Sequence, residues 1–241
     1  MSQPRALKIM SIEVMGLERL LATTAPTAPD RPALVRRLAE AYAELAASAT
    51  ESKTASMPTP AGVRPPRWQP PPPPDVDDVI VTAHRKAIEH YVSLLTHVSN
   101  GSTLDEVVYY LALEYERIDD VTSARAAYSD LIKRMPDSKY VPEAFFGLGE
   151  SFYAPSKLDP RSGDEAISAY RSAMTTPPPG NRVYGLASYR IGCVLKNRGD
   201  VVNASAAFKR TLEYCAADPS FDQPSAYVAK LSDITNATAT R

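Results

Sequence analysis

Apolar residues recur along this chain three and four positions apart, which is the spacing of one face of an α-helix. On four of these segments an alanine is followed one helical turn later by an aromatic residue, at intervals of roughly 40 residues. Because both residues of a pair lie on one helix face, each pair predicts a point where two helices meet. The four pairs are Ala87/Tyr91, Ala124/Tyr128, Ala166/Tyr170 and Ala204/Phe208.

A second signature precedes each pair and marks another helix. It consists of a large aliphatic residue, a small residue beside it, and a further large residue three positions later. Two signatures in each period of roughly 40 residues are typical of a solenoid built from helix-turn-helix units. The sequence therefore predicts an all-α solenoid. The second signature occurs at Leu38-Ala39…Tyr42, Leu111-Ala112…Tyr115, Leu148-Gly149…Phe152 and Ile191-Gly192…Leu195.

Capping residues and prolines divide this pattern into separate helices. Pro32 suits the first turn of one helix, and Thr103 with Glu106 has the spacing of a capping box before another. Pro136 and Pro178 close the second helices of two units. The predicted helices span residues 5–23, 31–48, 77–98, 104–117, 120–134, 142–153, 163–175, 183–198 and 201–215, with a weaker helix at 224–236.

The N-terminal segment, residues 1–24, has an apolar stripe of its own. The spacing of the stripe indicates an amphipathic helix that either packs on the first repeat or forms a short dimeric coiled coil. A coiled coil usually needs about three to four heptads, and fewer are available here, so packing on the first repeat is favoured. The stripe consists of Leu7, Met10, Val14, Leu17 and Leu21.

Residues 50–76 interrupt the helical pattern with many prolines, including the run from Pro70 to Pro74. Proline lacks the amide hydrogen and fixes φ, so this segment is predicted to be extended or polyproline-like rather than helical. A solvated spacer is the favoured interpretation, and a ligand for an aromatic-lined partner groove is the alternative.

The proline-rich segment separates a first-helix signature at Ala39 from a second-helix pair at Ala87, and neither has another partner. The simplest interpretation is one repeat split by a surface insertion, because a long loop adds little closure entropy. The predicted organisation is an N-terminal amphipathic helix at 1–24, a first repeat at 31–98 split by the insertion at 50–76, three further repeats at 104–218, and a capping helix and tail at 219–241.

Small residues in the repeating signatures allow two helix backbones to approach closely. The ring one turn after each alanine is expected to fill the gap to the next repeat. Because one repeat alone leaves an apolar face exposed, stacking is expected to stabilise the array. The small residues expected to meet are Ala112 with Ala124, Gly149 with Ala166, and Gly192 with Ala204.

The segment VYYLALEYERIDDVTSARAAYSDLIKRMP contains both signatures and resembles a tetratricopeptide repeat. The resemblance extends over roughly residues 32–218, with an insertion between the helices of the third repeat and a late closing proline, Pro219, in the fourth. It implies a right-handed α-solenoid that acts as a non-catalytic scaffold for protein–protein interaction. The residues that match the usual positions are Leu111, Ala112, Tyr115, Ala124, Tyr128, Leu131 and Pro136.

Within that family the stretch DSKYVPEAFFGLGESFY, with a few extra residues between repeats, is similar to bacterial cell-envelope members of the BamD-like and CpoB-like type. The stretches DRPALVRRLAEAYAEL and AFKRTLEYC, together with the insertion, also resemble myxobacterial repeat proteins, including those of gliding-motility complexes. This finer resemblance implies an alternative function, as a periplasmic or outer-membrane-associated component of a trans-envelope machine for motility or envelope biogenesis.

Charge and hydropathy bear on the partners and the compartment. The 241 residues carry 27 basic and 28 acidic side chains, and a net charge of −1 gives no global attraction to nucleic acid or anionic lipid. No stretch of about 18 uncharged apolar residues predicts a membrane span. Glu13, Glu18 and Arg19 interrupt what would be the core of a signal peptide, so a cytoplasmic protein is expected as written. The periplasm or cell envelope is the alternative if the N-terminus is truncated.

No residue pattern predicts a catalytic residue, a cofactor or a metal ion. His84, His90 and His97 lie six and seven positions apart, whereas a metal-binding pair on a helix needs a spacing of four. They are interpreted as exposed helix histidines. Cys193 and Cys215 lack metal-ligand spacing and are expected to be buried or half-buried thiols. Motifs for nucleophilic or phosphate chemistry are missing, so an enzyme is not expected.

Binding of a protein or peptide is the positive expectation. In such solenoids the first helices line the concave face, and their side chains are predicted to form a groove. Aromatic rings beside carboxylates suit a peptide with apolar anchors and some basic character. Tyr109 and Tyr189 fit either this groove or the core between repeats. The predicted groove residues are Arg36, Glu40, Tyr109, Leu113, Glu116, Phe146, Glu150, Tyr153, Tyr189, Cys193 and Lys196.

Overall fold

The computed structural model describes residues 3–56, 76–97, 103–154, 159–178 and 180–217. Within these ranges all regular structure is helical and no strand occurs, which confirms the all-α prediction. The proline run and the predicted final helix and cap lie outside the described residues. The helices are α1 (Gln3–Thr23), α2 (Arg31–Ser56), α3 (Val76–His97), α4 (Leu104–Arg117), α5 (Val121–Arg134), α6 (Val141–Tyr153), α7 (Pro160–Ala173), α8 (Tyr184–Asn197) and α9 (Val201–Ala217).

Most helix ends lie close to their predicted positions, and the C-terminal end of α2 is the main exception. This helix was predicted to end near Ser48 and continues to Ser56. Ala49 is fully buried, so the alanine face of α2 has packing partners in this last part. Hydroxyl side chains also bond back along the helix, as where Thr50 Oγ1 donates to the carbonyl oxygen of Ala46 at 2.8 Å. Tertiary burial therefore extends a segment whose serines and threonines favour helices only weakly.

The chain divides into two compact units, residues 1–124 and 125–241, with the boundary inside α5. In the first unit α1 packs on α2, α2 on α3, and α3 on α4. In the second unit α6 packs on α7, α7 on α8, and α8 on α9. Packing of helices in chain order within each unit is the arrangement expected of a helical repeat protein.

The core of the first unit joins helices from the two sides of the proline-rich segment. Ala39 and Tyr42 of α2 lie in one buried cluster with Ala87 and Tyr91 of α3. The two helices therefore pack directly on each other, although residues 57–75 separate them in the sequence. The predicted stripe of α1 contacts the same cluster, in agreement with packing rather than a coiled coil; its members are Leu7, Met10, Val14, Leu17 and Leu21.

Aromatic rings of the repeating signatures pack directly on glycines of neighbouring helices. A Cβ atom added to Gly192 would lie 2.5 Å from Cε1 of Phe208, and the ring of Tyr170 occupies the same place at Gly149. Phe208 and Tyr170 thus pack on the first helix of their own repeat, in the space that the missing Cβ atom leaves, whereas the sequence predicted that each ring would fill the gap to the next repeat. The Tyr128 ring agrees with that prediction, because it lies against Gly147 on α6, the first helix of the following repeat. Among the signature residues, Ala39, Ala87, Tyr91, Ala112, Ala124, Tyr128, Gly149, Ala166, Tyr170, Gly192, Ala204 and Phe208 are buried, and Tyr115 and Phe152 are partly buried.

Two of the turns between helices share one backbone geometry. Asp119, between α4 and α5, has φ = 58°, and Gly199, between α8 and α9, has φ = 79°. The amide of the next residue closes the preceding helix in both turns, as where Asp120 N donates to the carbonyl oxygen of Tyr115 at 2.9 Å. This left-handed conformation favours glycine, so Asp119 holds it at some cost in free energy.

The Thr103 hydrogen bond of the capping box predicted before α4 does not form. Thr103 precedes the helix but makes no side-chain hydrogen bond to it. The Glu106 carboxylate accepts a hydrogen bond from Arg36 Nη2 of α2 at 2.7 Å. Because donor and acceptor are both charged, this hydrogen bond is strong, and it links α4 to α2.

Candidate interaction surfaces

The predicted groove residues of the first unit lie on α2 and α4, and Arg36 connects the two helices. Its guanidinium donates to Glu40 Oε1 at 2.9 Å and to Glu106 Oε2 at 2.7 Å. The hydrogen bond to Glu40 raises the pKa of Arg36, while burial acts in the opposite direction. The charges of Arg36 and Glu40 are therefore largely balanced within the unit. Glu106 belongs to the same cluster, although it was not among the predicted groove residues.

The remaining predicted residues of the first unit, Tyr109, Leu113 and Glu116, are all half-buried on α4. The Tyr109 ring lies 5.5 Å from the ring of Tyr110, measured between centroids. Tyr109 thus packs against a neighbour and is partly accessible, so it has features of both interpretations, groove and core.

An apolar depression of about 310 Å³ lies beside Arg36. It opens between the start of α2, the end of α3 and the start of α4, where Pro32, Leu94 and Val107 contribute to its lining. Its volume is at the lower limit of ligand pockets, which usually reach about 300–1,000 Å³, and its lining is mostly apolar rather than supplied with several convergent polar groups. It therefore suits one or two apolar side chains of a partner better than a cofactor.

The second unit contains a half-buried ion pair between α6 and α8. Glu150 Oε1 and Oε2 each accept a hydrogen bond at 2.7 Å from the guanidinium of Arg190. The hydroxyl of Tyr170 donates to the same carboxylate at 2.6 Å. The guanidinium of Arg190 also lies over the Tyr153 ring, 4.8 Å from its centroid. Both oxygens of Glu150 are thus occupied, and the pair holds two first helices together.

Aromatic rings of the predicted groove in the second unit are packed on one side. Tyr189 lies 5.7 Å from Phe208, and Phe146 lies 5.6 Å from Tyr170, between ring centroids. Both Tyr189 and Phe146 are half-buried, and burial raises the pKa of Tyr189 to about 12. The rings are therefore held in place by the core and are partly accessible. Lys196, two turns after Tyr189 along α8, is exposed.

Cys193 lies between the rings of this face and is half-buried, as expected from the sequence. Burial raises the pKa of its thiol, although hydrogen bonds with Tyr189 and Tyr153 oppose the shift. A thiol with a raised pKa is a poor nucleophile at neutral pH, so this site is not suited to thiolate chemistry. The side chain of Cys215 lies outside the described residues.

Arg190, the residue that neutralises Glu150, was not among the predicted groove residues. Gly149 and Gly192 are equivalent in the repeating signature and lie 43 positions apart, whereas Glu150 and Arg190 lie 40 apart. The equivalent of Glu150 on α8 is therefore Cys193, and the repeat pattern does not predict the ion pair.

Two histidines interpreted as exposed are in fact packed. His84 is buried, with Nδ1 at 2.7 Å from Oε2 of Glu114 on α4. His90 is half-buried, and its ring stacks on Tyr42 with centroids 5.7 Å apart. Both face the neighbouring helices, since α3 has packing partners on two sides. The side chain of His97 lies outside the described residues.

Among the described residues, no group of three or more histidine, cysteine, aspartate or glutamate side chains is arranged to hold a metal ion. In the same part of the chain, no helix has the length and apolar character needed to span a bilayer.

The segment that contains α4, the left-handed turn after it and α5 is the part of the chain in which the repeat pattern is clearest. Residues 106–138 match a family model described as tetratricopeptide repeat. The match supports the resemblance stated from the sequence and covers the segment that carried it. No curated protein matches the chain.

The solved structures that match include a crystal structure of BtubC (BKLC) from P. vanneervenii. The two chains share 16% sequence identity, the alignment covers 90% of this chain and 92% of the other, and the TM-score is 0.46.

Proposed function

We propose that this chain is a non-catalytic scaffold that binds a peptide or partner protein through the first-helix faces of its repeats. Protein–protein interaction is the usual role of tetratricopeptide repeats, and residues 106–138 match that family. In the first unit the face consists of the predicted residues on α2 and α4, and in the second unit of those on α6 and α8.

The observation that carries the proposal is the state of the aromatic side chains on these faces. Tyr189 and Tyr153 are half-buried: each ring packs against a neighbour and is partly accessible. Rings already fixed by packing lose little conformational entropy when a partner covers them, which is a property of binding hot spots.

The ion pairs on these faces refine the chemistry of the ligand. A basic peptide side chain would have to displace Arg190 to reach Glu150, and Arg36 to reach Glu40. A ligand that anchors by apolar or aromatic side chains avoids this competition. We therefore infer a peptide whose affinity comes mainly from apolar anchors, with its charged groups at the rim.

A peptide library displayed on phage and selected on the full chain tests the proposal. The affinity of a selected peptide is then measured by calorimetry for the full chain and for Tyr109→Ala and Tyr189→Ala variants. We expect each variant that contributes an anchor to weaken binding by about 2 kcal/mol, or roughly 30-fold.

Val202→Ala is the control, because Val202 lies on the second helix α9, is 80% exposed, and is not among the predicted groove residues. Full affinity is expected for this variant. Unchanged binding by folded Tyr109→Ala and Tyr189→Ala variants, or loss of binding only in Val202→Ala, would contradict the assignment of the first-helix faces.

A further inference from the structure

Helix α1 has two apolar faces, of which the core of the first unit covers one. The inner face contains Val14, which is 4% exposed, and packs on the core shared by α2 and α3. On the outer side Ile12 is 60% exposed. Of the ten large apolar side chains that the described residues expose, four lie on this one helix: Ile9, Ile12, Met15 and Leu20. Such a concentration on one element marks an interaction surface rather than scattered surface residues.

A glycine lies in the middle of the outer face. Gly16 is one turn from both Ile12 and Leu20, and a Cβ atom added to it would meet nothing within 4 Å. Helix-interior glycines elsewhere in the described chain have a neighbour: Gly149 and Gly192, for example, each hold a ring from another helix. A glycine inside a helix lowers its stability, and an open glycine between two exposed apolar residues allows the backbone of a partner helix to approach closely.

The outer face has the heptad order of a parallel pair of helices. Ile9 and Gly16 fall at a positions and Ile12 at a d position, which are the positions that face a partner helix. Met15 and Leu20 then fall at the flanking g and e positions. In a parallel pair, a g residue of one helix approaches the e residue of the following heptad in the other. Met15 of one copy would therefore meet Leu20 of a second copy.

The charges on the edges follow the same register. Lys8 falls at g and Glu13 at e, so a parallel pair brings Lys8 of each copy to Glu13 of the other. Glu13 already pairs with Arg37 of α2, yet its side chain is 32% exposed and retains room for a second cation. An antiparallel pair would place g beside g and lose this charge match. The face is therefore complementary to itself, which is the requirement of a two-fold interface.

We propose that two copies of this chain associate through the outer faces of their α1 helices, in parallel, as a short two-helix contact. The second apolar face of α1 thus takes a second copy, while the stripe seen first in the sequence serves the monomer core. A membrane surface fits less well, because helices that lie on anionic lipid have a polar face rich in lysine and arginine, and here Glu13 stands on the edge opposite Lys8.

The contact is small. From Ile9 to Leu20 it extends over about 17 Å of helix at 1.5 Å per residue. Arg19 occupies the next d position, where its stem can lie along the partner while its charge remains in solvent. We therefore expect a weak dimer, with a dissociation constant on the order of micromolar or tens of micromolar.

Sedimentation velocity of the full chain tests this, over concentrations from about 1 µM to about 500 µM so that the expected constant is bracketed. The unsubstituted chain is expected to shift from monomer to dimer. Ile12→Lys, which leaves the inner face intact, is expected to weaken association at least tenfold while the melting temperature stays unchanged. Val202→Lys is the matched control, because Val202 is 80% exposed on α9 in the other unit; it is expected to dimerise like the unsubstituted chain.

Orientation is tested by Ile9→Cys under mild oxidation, with the unsubstituted chain as reference for its own cysteines. A cross-linked dimer is expected, because a positions face each other only in a parallel pair. A chain that stays monomeric throughout, an Ile12→Lys variant that dimerises normally, or a dimer that Ile9→Cys fails to cross-link would overturn the proposal. So would a monomer that instead co-sediments with phosphatidylserine-containing vesicles in an Ile12-dependent way.

Discussion

His84 Nδ1 lies 2.7 Å from Oε2 of Glu114, and the two side chains are only 6% and 4% exposed. The contact joins α3 to α4 in the core of the first unit. Arg117 Nη1 lies 3.6 Å from the other carboxylate oxygen of Glu114 and has 46% of its side chain exposed. A buried carboxylate is therefore held between a buried histidine and an arginine at the surface.

Removal of the carboxylate is expected to be strongly destabilising. In Glu114→Ala the buried His84 loses its hydrogen-bond partner, and we expect the free energy of unfolding to fall by roughly 3 kcal/mol. Urea unfolding followed by circular dichroism measures the change. Asp130→Ala is the control, because it breaks the exposed pair of Asp130 with Arg134, for which a loss below about 0.5 kcal/mol is expected. Equal losses in the two variants would show that the buried pair contributes no more than a surface pair.

A glycine-to-alanine comparison tests the packing of rings on first helices. Gly149→Ala places a methyl group against the buried Tyr170 ring, and we expect a loss of about 1–3 kcal/mol from overpacking. Gly16→Ala is the matched control in open space; measured at low concentration, it is expected to stabilise the chain by about 0.5–1 kcal/mol. The two alanine substitutions are thus predicted to change the free energy of unfolding in opposite directions. Tolerance of alanine at Gly149 would mean that the ring does not rest on that backbone.

At the two left-handed turns, introducing a glycine and removing a glycine are expected to change stability in opposite directions. Asp119→Gly relieves the cost of φ = 58° in a residue with a side chain, and a gain of roughly 0.5–1 kcal/mol is expected. Gly199→Ala introduces that cost at φ = 79°, and a loss of about 1 kcal/mol or more is expected. Thermal unfolding by calorimetry distinguishes the two. A lower melting temperature for Asp119→Gly would indicate that the Asp119 side chain has a stabilising role of its own.

Stability is expected to depend on pH through His90. Burial lowers the pKa of His90, Lys86 adds to the effect, and Glu89 and Glu18 oppose it. The unfolded chain therefore binds a proton at higher pH than the folded chain, so stability falls as the pH drops below the unfolded value of about 6.5.

The comparison for this prediction is His90→Phe, which keeps an aromatic ring against Tyr42. The melting temperature is measured from about pH 7.5 to about pH 5, the range in which histidine titrates. The variant is expected to lose less stability on acidification than the unsubstituted chain, and the difference isolates this one side chain. Parallel curves for the two chains would contradict the assignment.

Much of the fold could be predicted because the signals are local. The bounds of α4, predicted as 104–117, agree with Leu104–Arg117, since the apolar period and flanking turn residues lie within a few positions of each other. The contacts within the candidate surfaces were harder to predict from the sequence. Glu150 was identified as a groove residue, but its pairing with Arg190 depends on a side chain 40 positions away.

Periodicity by itself determined that the chain is helical, where most helices begin and end, and which alanines, glycines and rings recur in the core. Such patterns arise from the geometry of a single helix, in which residues three and four apart share a face. Only the tertiary structure decided what each face touches. It buried His84 against Glu114, set Tyr170 on Gly149 within one repeat, and left the outer face of α1 without a neighbour in its own unit. Those outcomes depend on side chains brought together from distant positions, and no local pattern along α1 distinguishes the apolar face that the core covers from the one it leaves exposed.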